Sequence, residues 1–219
     1  MNEEKVKKLI KEINLDVEPA VFDITNEIQV ISFFKSISGK PIDILVNNAY
    51  SGNAGSIETA TSQDYALSYD VTVIAVQNIV QNAMPMLKLA AKKNGQASVI
   101  NIASMYGLVS PDMSVYSEKK SSNPPFYGAA KAALIQWTKY AACEFGVDGV
   151  RFNSISPGAF PNKLAQNNNN LIKNIEKKIP MNRIGQPEEL IGALIFLASN
   201  SSSYVTGTNI IVDGGWTAW

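Results

Sequence analysis

Apolar residues recur along the chain at two spacings, and their alternation predicts the architecture. Short apolar runs stand at 20–24 (AVFDI), 42–48 (IDILVNN), 98–103 (SVINIA), 150–156 (VRFNSIS) and 208–216 (TNIIVDGGW). Near-continuous runs of this length suit strands buried on both faces of a parallel sheet. Between them the spacing turns helical. Val6, Leu9, Ile10 and Ile13 predict a short amphipathic helix over 3–14, and a second is expected from Glu27 to Ser38 with Thr25 as its N-cap. A long helix from Asp64 to Lys93 should be interrupted near Pro85, with Val71, Ile74, Ala75 and Val80 on its buried face. Another follows Lys131, carried by Ala130, Leu134, Trp137, Ala141 and Phe145. Pro187 suits the first turn of a last helix, with Glu188 and Glu189 at its positive end and Leu190, Leu194 and Leu197 as its stripe. Strands alternating with helices predict one α/β domain over 1–219, a parallel sheet flanked by helices on both faces. Such sheets bind ligands at the carboxyl ends of their strands.

Composition narrows the function classes. Lys+Arg and Asp+Glu are equal at 19 each, with no basic block, so no nucleic-acid or membrane-surface partner is expected. No segment approaches the roughly 20 apolar residues of a membrane span. The charged start MNEEKVKKLIKEIN lacks the apolar core of a signal peptide, and a cytoplasmic location is the expectation. Cys143, the single cysteine, sits in an apolar helical pattern and is read as packing. With 0 histidines, a histidine base is excluded and no metal site is expected.

Chemistry concentrates between Ser104 and Lys131. Ser104 ends an apolar run, and Tyr127 and Lys131, four apart at the start of a helix, share one face. A neighbouring ammonium favours the phenolate, so Tyr127 is expected to be acidified and to serve as general acid–base, with Ser104 hydrogen-bonding the same reacting oxygen. Tyr116 and Lys120 repeat the spacing, but SSNPP follows them and cannot continue a helix. Residues 105–126 then form an inserted loop. The polar stretch 160–178, with Asn167 to Asn170, reads as a lid over the substrate or as a surface loop without a role.

Five ordered motifs carry a resemblance: NNAY at 47–50, VINIAS ending at Ser104, YGAAK at 127–131, VRFNSISPG at 150–158 and YVTGTNIIVDGGW at 204–216. With RIGQPEEL at 183–190, they resemble the NAD(P)-dependent short-chain dehydrogenase/reductase family over nearly the whole chain. The resemblance implies a Rossmann-type doubly wound sheet, a catalytic set of Ser104, Tyr127 and Lys131, and cofactor contacts from Asp23, Asn47, Asn48, Ala49, Tyr127, Lys131, Pro157 and Gly158. Ordinary turn roles stay open for Asp23, Asn47, Asn48 and the Pro157–Gly158 turn. Asp70 falls where relatives supply an asparagine that holds a relay water; a solvated helix charge is the other reading. Relatives are mostly tetramers that use the C-terminal region, so a homo-oligomer, tetramer or dimer, is implied, with Trp216 and Trp219 as interface anchors or as residues buried within the subunit.

One family segment has no counterpart. Relatives open with a strand and T-G-x-x-x-G-x-G, a loop that cradles the pyrophosphate, and this chain contains none. About 30 residues, one βαβ unit, are thus expected to be absent. Either the recorded sequence starts late or the protein is a remodelled relative without its cofactor loop. The cofactor is expected as NAD(P), NAD and NADP being undistinguished. The expected reaction is alcohol–carbonyl interconversion on a small molecule. The SMYGLVSPD insert and PGAFP resemble a subgroup linked to flagellin modification and surface-glycan sugars, which implies a sugar-like substrate. The rival is a noncatalytic scaffold or oligomerisation subunit; an extended sugar epimerase fits the short length poorly.

Overall fold

Four of the five apolar runs become strands, all parallel and in chain order across the sheet: β1 (Ile44–Asn47), β2 (Ala97–Ile102), β3 (Val150–Pro157) and β4 (Asn209–Val212). In this computed structural model the described residues are Glu4, Val6, Glu12 and 16–219. The helix expected over 3–14 lies otherwise outside them. In register, Ile44 opposes Ser98, Ala97 opposes Val150, and Ser154 opposes Asn209.

The sheet is covered on both faces. Helices α1 (Glu27–Ser36), α3 (Ala75–Asn94) and α4 (Pro125–Phe145) bury Val99, Val150 and Phe152, and Phe152 meets the Trp137 and Phe145 rings of α4. On the other face α7 (Ile191–Ala198) packs Leu197 on Ile100 and Ile155. That cover stops short of β1, whose Ile44 and Val46 stay 47% and 39% exposed. This is an α/β Rossmann-like arrangement.

Three expectations change. Residues 20–24 are not a strand: β1 is the sheet edge among the described residues, and a segment with no ladder partner cannot satisfy its backbone as a strand. Phe22 instead stacks on Phe33 of α1 at 4.8 Å. The cap of α1 is Asn26, which accepts from the Gln29 amide, not Thr25. The long helix is interrupted at 70–74, not at Pro85. Helix α2 (Ser62–Tyr69) runs into a π segment, Asp70–Ile74, and α3 continues through Pro85. The wider π turn rotates the stripe, so Ala75 and Val80 are buried while Ile74 faces solvent.

The C-terminal half holds two more corrections. The Asn-rich stretch is helical: α5 (Lys163–Gln166) and α6 (Asn169–Glu176), each capped by the asparagine before it, Asn162 and Asn168. Leu171 and Ile175 of α6 pack toward Met105, Val115, Ile179 and Trp216. Trp216 is therefore buried within the subunit, and only Trp219 is exposed. Cys143 is exposed rather than packed, because it falls on the outer side of α4. Among the described residues no helix is long and apolar enough to cross a membrane.

Candidate active site

The carboxyl ends of β1, β2 and β3 lie side by side, and the expected residues gather along that edge. Ser104 follows β2 in extended backbone and is buried. Its oxygen accepts the Tyr106 amide at 3.1 Å, which fixes the side chain and leaves the hydroxyl proton free to donate. Tyr127 lies in the first turn of α4, which Pro124 caps and Pro125 opens at a position where no amide is needed.

Lys131 is buried one turn further on. Its Nζ donates to the Ile102 carbonyl at 2.6 Å and lies 5.7 Å from the centre of the Tyr127 ring. Burial lowers the Lys131 pKa to about 8. Burial also raises the Tyr127 pKa, while a hydrogen bond from Ser104 pulls it down without cancelling the rise. The expected acidification of Tyr127 by Lys131 is thus absent in this form: the ammonium is tied to a backbone carbonyl, and removal from water dominates the phenol.

The repeated Tyr-Lys spacing resolves as the proline argument requires. Tyr116 is extended, its hydroxyl 3.2 Å from that of Tyr106, and Lys120 pairs with Glu118 in solvent. The two do not share a helix.

Asp70 sits half-buried at the junction of α2 and the π segment. Among the described residues it forms no hydrogen bond or ion pair with Lys131, whose donor is turned to Ile102.

The cofactor-side residues divide. A cleft of about 1120 Å³ beside β1 is lined by Asp23, Asn47, Asn48, Ala49 and Tyr50, with Val21 and Val46. Asp23 spends its carboxylate on Thr25, accepting from the amide and the hydroxyl, which lowers its pKa. Asn47 donates to Asn101 at 2.8 Å, and Asn101 donates to Thr138 of α4 at 2.9 Å, a buried chain that fixes where β1 ends. Pro157 and Gly158 close β3, away from this cleft. Gly158 is required because a Cβ there would lie 2.5 Å from the Asp213 Cα.

Sequence reading passed over Tyr50. Its ring packs edge-on against Tyr127, centroids 4.6 Å apart. The available signal was a tyrosine in the last place of NNAY, where the resembling motif ends in glycine.

Comparison with known proteins is consistent along the chain. A family model described as enoyl-(acyl carrier protein) reductase matches residues 1–217. A tropinone reductase homolog of Arabidopsis thaliana is 30% identical over 223 residues, 99% of this chain and 78% of its own. The 3-oxoacyl-(acyl-carrier-protein) reductase of Thermotoga maritima is 30% identical over 222 residues, 98% of this chain and 84% of its own. Among solved structures, a gluconate 5-dehydrogenase from Burkholderia cenocepacia in complex with NADP and tartrate superposes with a TM-score of 0.85 at 26% identity, covering 100% of this chain and 83% of that one. A short chain dehydrogenase from Leptospira borgpetersenii with bound NAD+ gives 0.79 at 29% identity, covering 98% and 87%.

Proposed function

The chain belongs to the NAD(P)-dependent short-chain dehydrogenases/reductases, and on that premise we propose that it interconverts an alcohol and a carbonyl, with Tyr127 as general acid–base. The observation that carries this reading is the grouping of buried Ser104 and Lys131 with half-buried Tyr127 at the carboxyl edge of a parallel sheet. The residues present fit the adenosine side of a dinucleotide. The cleft exceeds the usual 300–1,000 Å³ of ligand pockets and presents Asn48 and Ala49 between the strand end and Tyr50, while the glycine-rich loop that cradles the pyrophosphate is not among the described residues. When bound, the nicotinamide supplies or accepts the hydride.

The chain's own residues do the rest. Ser104 donates to the substrate oxygen and orients it. Tyr127, kept protonated by burial, gives its proton to that oxygen during reduction and takes it back during oxidation. Lys131 places a positive charge beside the phenolate that forms and, on releasing Ile102, holds the nicotinamide ribose. Asn47 through Ala49 line the adenosine side, with Asp23 at its far wall. Pro157 and Gly158 bound the nicotinamide side.

The substrate we propose is hydroxyl-rich and sugar-like. Its support is the polar α5–α6 segment beside the 105–126 insert and the likeness to a gluconate 5-dehydrogenase. The protein acts as a homo-oligomer.

Turnover of a panel of sugar acids, ketones and acyl thioesters with NADH and NADPH tests the reading. Tyr127→Phe should cut turnover by about 10²–10⁴-fold, the worth of a positioned acid–base, and Tyr116→Phe should not. Equal loss in both overturns the choice of tyrosine. No rise in melting temperature with either nucleotide favours the noncatalytic scaffold instead.

A further inference from the structure

Between the cleft and Lys131 stands one ring. Tyr50 lines the cleft on one side, and on the other it packs against Tyr127. The Lys131 Nζ lies 5.8 Å from the Tyr50 centroid and 5.7 Å from that of Tyr127, so two aromatic rings cover the ammonium. Ring contacts are the only hold, since the Tyr50 hydroxyl forms no hydrogen bond among the described residues, and 39% of the residue is exposed.

The neighbouring sequence builds this position. A Cβ on Gly52 would stand 2.1 Å from the Tyr50 hydroxyl oxygen and 2.8 Å from its Cζ, so only glycine there leaves room for the ring. A tyrosine followed two residues later by glycine thus encodes a cover, not an accident of a loose loop.

We propose that Tyr50 is a gate, its ring closing the cleft off from Tyr127 and Lys131 until an entering nicotinamide dinucleotide displaces it. The dinucleotide part rests on the function proposed above; the cover over Lys131 stands on the geometry alone. Partly exposed side chains change rotamer quickly, so the gate costs binding through its closed population. If the open form is about 10% populated, apparent affinity is weakened about tenfold.

Two measurements on intact protein test this. The first is the rate at which trinitrobenzenesulfonate modifies Lys131 at pH 8, near the pKa that burial imposes, followed by mass spectrometry. The second is the Kd for NADH and NADPH. Tyr50→Gly should raise labelling and tighten binding about tenfold. Gly52→Ala should do the same by expelling the ring while leaving Tyr50 in the sequence. Tyr50→Phe should restore the wild-type values, because the ring covers and the hydroxyl does not. Unchanged labelling of Lys131 in both Tyr50→Gly and Gly52→Ala overturns the gate, whatever the nucleotides do. Faster labelling with no nucleotide bound by any variant upholds the cover and overturns the dinucleotide reading instead.

Discussion

A lysine with no carboxylate partner, sealed under two tyrosine rings, is expensive. Burial lowers the Lys131 pKa from the ordinary 10.5 to about 8, and the unfolded chain regains the ordinary value. Between those limits the unfolded state binds more protons, so stability should rise as pH climbs from about 8 to 10.5. Below pH 8 the cost of the buried charge is present in full, on the order of 3 kcal/mol at 1.36 kcal/mol per pKa unit. Lys131→Met should therefore raise the melting temperature at pH 7 while abolishing turnover; a fall in stability would show that the bond to Ile102 outweighs the desolvation. Under the proposed mechanism the same group shapes activity: carbonyl reduction would need protonated Tyr127, which burial favours, and charged Lys131, so kcat/KM should be level below about pH 8 and fall about tenfold per unit above it. A profile flat to pH 10 removes Lys131 from the mechanism. At this scale the sequence placed Ser104, Tyr127 and Lys131 together, because a strand end and a four-residue helical step leave few alternatives. It also put Asp70 at the relay position, where the structure gives no direct bond to Lys131, and it missed the sign of the Tyr127 shift, because both depend on which groups water reaches.

Elements were recognisable wherever the apolar period was long. Helix α4 begins at Pro125, two residues earlier than a loop over 105–126 allows, and of its apolar stripe Ala130, Leu134 and Ala141 are buried while Trp137 and Phe145 are partly so. Periodicity failed at the π segment, where one wider turn sends Ile74 to solvent, and at 20–24, where an apolar run lacks a neighbouring strand. The Asn-rich stretch failed for a third reason. Asparagine is a poor helix former but a strong cap, and α5 and α6 each take one as N-cap while Leu171 and Ile175 supply the apolar anchor. Asn168→Ala should cost α6 about 1 kcal/mol, the usual worth of a cap. Hydrogen exchange should then quicken at Leu171 and Ile172 and stay unchanged in α4. Exchange that is already unprotected in the wild type would remove α6 as an ordered wall.

Across the molecule, apolar surface is left on the α7–β4 side: Ile191, Ile195 and Phe196 of α7 and Ile211 of β4 are exposed, with β4 at an edge. An edge strand flanked by apolar side chains invites a second copy. Light scattering should give an integral multiple of 23.7 kDa, a dimer or tetramer. Ile195→Asp should shift it toward the subunit mass; a wild-type monomer at micromolar concentration would overturn the assembly. The opposite edge, β1, faces the large cleft, so one side of the sheet is available for ligand and the other for a partner subunit.

Pattern and motif alone determined the alternation of strands and helices, the parallel sheet and the nearness of Ser104, Tyr127 and Lys131, since each follows from local spacing and chain order. Only the tertiary structure decided what those groups meet. It turned Lys131 toward the Ile102 carbonyl, spent Asn47 on the Asn101–Thr138 chain, buried Trp216 while exposing Cys143, and laid Tyr50 over the pair it screens. Contacts between residues far apart in the chain, and the exclusion of water they bring, are properties of the packed molecule that no run of neighbouring residues encodes.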